Sequence, residues 1–484
     1  MKKKNNSLIN KFLSFSVGSW VTFIIGIFST PLITNLFSPD QYGIFSKFEM
    51  YASLVMLVIL FGIDQSFVRF FYTEKEENRK ALLFKCLKIP TIVNIIAVII
   101  VILFRNKLSN FIFGETTVWF ALIAVLHLSF LTINKFALMV VRMQQKSKTY
   151  SFLIVLNKVA YISMVIIAAF FLKNNYMALV IALLTSNIIV TVIAMACEHN
   201  YWNIFEIKKD HVECNTSTKE IFYYGAPLVF TNAVYYIFQS ADKLSIDHYW
   251  GVTQMGLYSA AARIVALLTI LQGCFTTFWV PVAFERYEKN HEDTAFFEKA
   301  NLIVTIAMFF CAIGLLLFRD ILALFLGPEY RVAAFIVPFL SFMPIMYTVS
   351  ETTVLGINFK KKQKQHIYIS IISCLVNVIG NAILVPKLQA VGAGISTGLS
   401  YIVFFSLRTH ISSKYFKVNY HLKKFYTMTF ALCLYALYAT LFRFNFLYVV
   451  FGICELIVLY VLYRKYINEM FALAKNKISQ LRSK

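Results

Sequence analysis

The 484-residue sequence contains no P-loop, no His-Glu-x-x-His and no Gly-x-Ser-x-Gly. Nucleotide-driven work and the commoner hydrolytic chemistries therefore have no motif to rest on. Acidic residues are scarce, 24 against 46 Lys and Arg. No polar segment is much longer than Tyr201–Phe222, which leaves no room for a soluble catalytic domain and counts against membrane polymerases and ligases. The eight cysteines lack the paired spacing of a metal site or a disulfide frame and read as small core residues. No metal and no cofactor is expected. What fills the chain instead is apolar: 59% of residues are hydrophobic, against about 45–50% in soluble domains. The expectation is an all-α polytopic membrane protein, a transporter and not an enzyme.

A bilayer span takes roughly 20 apolar residues, and about fourteen segments meet that standard. They are Phe12–Phe37, Ile44–Phe70, Leu82–Phe104, Val118–Val141, Ser151–Leu172, Met177–Cys197 and Tyr223–Trp250, then Leu257–Phe284, Phe297–Phe318, Ala333–Ile357, Ile367–Val385, Gly394–Ile411, Phe425–Phe442 and Leu447–Tyr463. The start MKKKNN resembles a signal peptide, but the run that follows is too long for an h-region and reads as span one. Lys and Arg crowd alternate connections, from Lys2–Lys4 through Arg142/Lys146/Lys148, Lys208/Lys209 and Lys360–Lys362 to the tail after Arg464. Basic flanks stay cytoplasmic, so both termini are assigned there, and the net charge of +22 records topology rather than nucleic-acid binding.

The chain begins again near its middle. Gln41-Tyr-Gly43-Ile-Phe-Ser46 is echoed by Gln254-Met-Gly256-Leu-Tyr-Ser259 at an offset of 213, which also sets Asn110–Gly114 against Ala323–Gly327. Six spans is an even number, so the repeats are parallel, with a cleft expected between two lobes. The expected domains are residues 1–222, residues 223–424, and residues 425–484 carrying spans thirteen and fourteen with the basic tail.

Ionisable residues inside spans are costly and are functional candidates by default. In the first lobe these are Asp64 and Arg69 on span two, His127, Asn134 and Lys135 on one face of span four, and Asn157 and Lys158 on span five. In the second they are Asp242 and Lys243 on span seven, with Tyr235 and Gln239 on the face of Asp242, then Arg263 and Glu351. Plainer roles compete: interfacial anchoring for Arg69, Lys135 and Lys158, a core position for His127, and a structural Asp242–Arg263 pair. Pro31, Pro90, Pro227, Pro281, Pro338 and Pro344 are hinge candidates. The small-residue face Gly392, Gly394 and Gly398 reads as close helix packing rather than phosphate binding.

Leu36-Phe-Ser-Pro-Asp-Gln-Tyr-Gly43, Gly62-Ile-Asp64 through Tyr72, Tyr224-Gly-Ala-Pro227, Ala241-Asp-Lys243, Gly256-Leu-Tyr-Ser259 and Asn377 through Gly394 resemble the Wzx-type oligosaccharide flippases. These polysaccharide biosynthesis proteins belong to the multidrug/oligosaccharidyl-lipid/polysaccharide exporter superfamily, with its MATE-like lobes. Two positions depart from the family pattern: Lys243, where Arg is commoner, and Lys387-Leu-Gln389, where a Gly is usual shortly after Pro386. The resemblance implies a flippase in the bacterial inner membrane. Its cargo would be undecaprenyl-pyrophosphate-linked oligosaccharide for O-antigen, capsule or exopolysaccharide, moved by alternating access. Arg69, Lys135, Lys158, Lys243 and Arg263 would contact the pyrophosphate or glycan; Asp64, Asp242 and Glu351 would gate or bind a coupling ion, H+ or Na+. Membrane lipids, a polysaccharide polymerase and glycosyltransferases are the implied partners, and no nucleic acid. A cation-coupled drug exporter, a lipid II flippase and an assembly partner of glycosyltransferases are the other readings.

Overall fold

The computed structural model describes residues 18, 20–22, 24–203 and 214–482. The start of span one, Lys2–Lys4 and Lys208/Lys209 lie outside them, as does the Tyr235 side chain. The helices relevant here are α1 (Trp20–Leu36), α2 (Pro39–Leu60), α3 (Ile63–Phe70), α4 (Arg79–Leu103), α5 (Arg105–Phe113), α6 (Trp119–Met143), α7 (Ser147–Leu172) and α8 (Tyr176–Cys197). They continue with α9 (Thr218–Trp250), α10 (Val252–Lys289), α11 (Thr294–Leu317), α12 (Arg319–Leu324), α13 (Phe342–Thr353), α14 (Lys364–Ser413), α15 (Leu422–Leu441) and α16 (Phe446–Arg482). Only helices and closed barrels satisfy backbone polar groups in lipid, and the described residues are helical almost throughout. Ten helices among them are long and apolar enough to cross a membrane, or eleven if a bent pair counts as one span. This is a polytopic membrane protein.

The chain divides into two compact units, Met1–Lys243 and Leu244–Lys484. In the first, α2, α6 and α8 each bury 56% of their apolar window and α4 only 17%. The interior of this unit is therefore built on α2, α6 and α8, while Ile92, Ile95, Ile96 and Ile99 of α4 are exposed and suit lipid. Ile63, Phe67, Leu82, Leu83, Phe136 and Val140 join α3, α4 and α6 in one core; Ala137, Val141, Leu153, Val190 and Ala194 join α6, α7 and α8. A polar seam crosses the latter: Asn134 donates to Thr191 at 2.9 Å, and Asn157 to Asn187 at 3.3 Å.

Several spans differ from expectation. Span two, expected unbroken over Ile44–Phe70, is interrupted at Phe61 and Gly62, both left-handed with φ 45° and 70°. Glycine is required at the break by a close backbone approach as well as by its φ, since a Cβ on Gly62 would stand 2.3 Å from the carbonyl oxygen of Gly225. Ser66 Oγ then donates to Ile221 O, 155 positions along the chain, at 2.8 Å, so the segments around Gly62 and Gly225 share one contact. Span ten, expected over Ala333–Ile357, is a chain of short pieces with a 58° bend between Pro328–Phe335 and Val337–Thr353. The breaks fall mostly away from the hinge prolines: Pro90, Pro227 and Pro281 sit inside continuous helices, and only Pro338 stands at the bend. A proline inside a span loses one hydrogen bond without having to end the helix.

At the start of α9, Glu74 ties down the incoming chain. Its carboxylate accepts from Thr216 N at 2.7 Å, from Thr216 Oγ1, from Cys214 Sγ and from Asn215 N. Burial alone would raise its pKa, but these bonds outweigh it and hold the group below its ordinary value.

In the second unit α14 is broken at Gln389, φ 56° and ψ −141°, into arms 364–388 and 390–413, matching the two spans expected there. The arms are stitched by Asn377 donating to Thr397 at 3.0 Å and Ser396 to Asn377 O at 2.7 Å. Gly394 and Gly398 lie against backbone, their virtual Cβ atoms 3.0 Å from Ile336 O and 2.5 Å from Phe339 O, so the small-residue face is a packing surface.

Candidate functional site

On α6, residues Leu131, Asn134, Lys135, Leu138, Met139 and Arg142 recur at intervals of three and four and form one face. Together with Ser53, Met56 and Leu60 of α2, Tyr150 of α7 and Tyr236 of α9, they line a cavity of about 290 Å³ within the first unit. Among the described residues the lining holds two basic side chains and no carboxylate. Lys135 and Arg142 are both exposed to the space they line and stand seven residues apart, about 10 Å along the axis. Asn134 is fixed from behind by Thr191, which holds α6 at this rotation. A cavity so furnished suits a ligand with two adjacent negative groups and hydroxyls.

The remaining expected site residues disperse. Lys158 is half-buried, with its ammonium 5.6 Å from the Tyr161 ring and outside the cavity lining. Arg69 is exposed in the last turn of α3. Asp64, expected in the inner half of an unbroken span, instead occupies the first turn of α3 after the break, is 6% exposed, and accepts from Gln65 Nε2 at 2.9 Å. Lys243 donates to Ser46 Oγ at 2.9 Å, joining the motif of span seven to the repeat motif of span two. Asp242 is buried in α9, and Arg263 is exposed on α10. His127 is buried beside Phe48, ring centroids 5.2 Å apart, and its Nδ1 lacks a partner.

Glu351 on α13 pairs with Arg408 on the second arm of α14 at 2.9 Å, each side chain 7% exposed. The guanidinium also donates to Ser350 Oγ at 2.6 Å and stacks on Tyr347 and Phe404. Arg408 escaped the sequence reading because it falls near the end of an apolar run, where a cation passes for an interfacial anchor. Arg142 escaped because it was counted with its connecting loop. Its signal was nonetheless present: it continues the Lys135 face at i+7. No group of three or more metal-ligating side chains occurs among the described residues.

The family described as "Polysaccharide biosynthesis protein" matches residues 8–286. The probable low-salt glycan biosynthesis flippase Agl15 of Haloferax volcanii is 22% identical over 210 residues, 42% of this chain and 44% of that protein. The chain thus matches less than half the length of this curated relative. Among solved structures, the inward closed conformation of the lipid II flippase MurJ superposes with a TM-score of 0.68 at 16% identity, covering 94% of this chain and 99% of that one. An inward-facing MATE family multidrug resistance transporter superposes with a TM-score of 0.60 at 14% identity, covering 82% and 94%. At such identities the structural likeness concerns the fold alone. These relatives are flippases and transporters, and none is an enzyme.

Proposed function

Because the chain belongs to the polysaccharide biosynthesis protein family, we propose that it is a flippase for undecaprenyl-pyrophosphate-linked oligosaccharide repeat units. It would act in the bacterial inner membrane with both termini cytoplasmic, supplying O-antigen, capsule or exopolysaccharide assembly alongside a polymerase and glycosyltransferases. The observation that carries this reading is the cavity with Lys135 and Arg142 and, among the described residues, no carboxylate.

A pyrophosphate cannot enter hydrocarbon unaccompanied, and charge-assisted hydrogen bonds from a guanidinium and an ammonium offset its desolvation. Arg142 can hold one phosphoryl oxygen pair in its fork while Lys135 meets the second phosphate as a point charge. Tyr150, Tyr236, Ser53 and Asn134 offer hydroxyl, amide and ring surface to the first sugars, and the polyprenyl tail stays in lipid. Transport would follow alternating access, the cavity exchanging its opening between the two membrane faces. Glu351 with Arg408, Asp64 and Asp242 are the candidates for gating that exchange, driven by H+ or Na+. A drug exporter of the same fold would prefer an acidic cavity for cationic cargo, which this lining opposes.

The test is mass spectrometry of lipids that co-purify with the protein, wild type against Lys135→Ala/Arg142→Ala. Polyprenyl-pyrophosphate glycans should accompany the wild type and fall by at least about tenfold in the variant. Equal retention by both would remove the cavity from the account. Ordinary phospholipids alone in both would sink the glycan reading, and drug-resistance assays and complementation of lipid II flippase depletion would then separate the alternatives.

A further inference from the structure

Helix α16 buries one stripe, Tyr448, Gly452, Glu455, Leu459 and Tyr463, while Ile453, Ile457 and Val461 opposite are exposed. Four of these five residues suit an apolar seam. Glu455 does not. It stands nine residues inside the span Phe446–Glu469, about 14 Å along the helix axis, and is 6% exposed. Its Oε2 is buried with no hydrogen-bond partner. Among the described residues no Lys, Arg or His forms an ion pair with it.

The titratable groups that face it from α15 are Cys433 and Tyr435. The charged residues of α11, Glu298 and Lys299, lie in its first turns, where Glu298 bonds His421 at 2.7 Å beside Tyr466, eleven residues along α16 from Glu455. Tyr435 Oη is also buried without a partner. It packs on α16 at Gly452, where a Cβ would stand 3.0 Å away, one helical turn from Glu455. The Tyr435 and Tyr448 rings are 5.4 Å apart, and the Arg319 guanidinium lies 4.8 Å from the Tyr448 ring centroid. Arg319 in turn holds Asp320 at 3.1 Å, and the Asp320 side chain is 33% exposed. A file of polar groups thus runs from one helix end to the buried acid.

We propose that Glu455 is a proton-binding site in the membrane interior, taking up H+ while α15 and α16 pack as here and releasing it when that seam opens toward Asp320. An ionised carboxylate with neither donor nor cation is expensive inside a bilayer, whereas the neutral acid is tolerated. Uptake forms one O–H bond on the carboxylate from a water-borne proton; release returns that proton to water, and nothing is oxidised. A metal cation would need several oxygen ligands, and Glu455 is the one carboxylate among the buried residues named on this seam. The inference needs only residence in a membrane and is independent of the cargo assigned above.

Infrared difference spectra of the full-length protein in proteoliposomes, recorded from mildly acidic to mildly alkaline pH, test it. The expected result is a protonated-carboxyl carbonyl band that titrates within that range, vanishes in Glu455→Gln and moves in Tyr435→Phe. A band that persists unchanged in Glu455→Gln overturns the proposal, as does one present at every pH, which would mark a permanently neutral packing group. If Glu455→Gln fails to fold, Glu455→Asp takes its place: a displaced titrating band supports the site and an unmoved one overturns it.

Discussion

Glu351 and Arg408 show how differently two residues of one pair read before and after folding. Glu351 is conspicuous as an acid within an apolar span, whereas Arg408 passes for a flank, yet each is 7% exposed and needs the other. A buried pair repays its desolvation only while both partners remain. Arg408→Ala or Glu351→Ala alone should therefore destabilise the protein by about 3–5 kcal/mol. Arg408→Met combined with Glu351→Leu should recover most of that. Thermal unfolding in detergent checks this, and single variants as stable as the wild type would show that water reaches the pair. The same contrast applies to cations. Lys135 was legible as a candidate from its face on α6, and Arg142 joins it in the cavity. Lys158, equally conspicuous in sequence, faces Tyr161 instead, because a residue's neighbour on another helix is a tertiary fact.

Two of the helix breaks recur in the two units at nearby places, within three residues of the 213-residue offset. Phe104 between α4 and α5 has φ −104° and ψ 19°, and Phe318 between α11 and α12 has φ −100° and ψ 9°. Each is followed by Arg, extending the 213-residue echo with a one-residue slip. The turn after α7 places Lys173 at φ 49°, ψ −136°, and the break in α14 places Gln389 at φ 56°, ψ −141°. These matched geometries support the duplicated architecture independently of sequence identity. Both of the latter residues occupy a backbone region that a side chain resists and glycine tolerates. Gln389 lies in Lys387-Leu-Gln389, the stretch in which the resemblance leads one to expect a glycine. Gln389→Gly should relieve about 1–3 kcal/mol of strain, less about 0.5–1 kcal/mol for the added freedom of the unfolded chain. A raised unfolding temperature is expected; an unchanged or lowered one would mean that the strain is already relieved by neighbouring contacts.

For the whole molecule, the alternation of basic and poorly basic connections is the ground for the proposal that both termini are cytoplasmic. A green fluorescent protein fused to the C-terminus should therefore fluoresce, and an alkaline phosphatase fused there should be inactive. The reverse pair of results would invert the assignment and, with it, the side from which the proposed cargo would enter. Residence in a membrane, helicity, the internal repeat and the poverty of enzymatic motifs were determined by the sequence itself, because transfer into lipid depends on composition summed along a segment. So was the family, through short motifs such as Tyr224–Pro227 that stay recognisable in isolation. Tertiary structure alone decided the break at Phe61–Gly62 and set the backbone of Gly225 against it. It also chose Arg142 as the companion of Lys135, Arg408 as the partner of Glu351, and solitude for Glu455. In a chain so uniformly apolar, periodicity places a charge at a depth and on a helix face but carries no information about which other helix that face will meet.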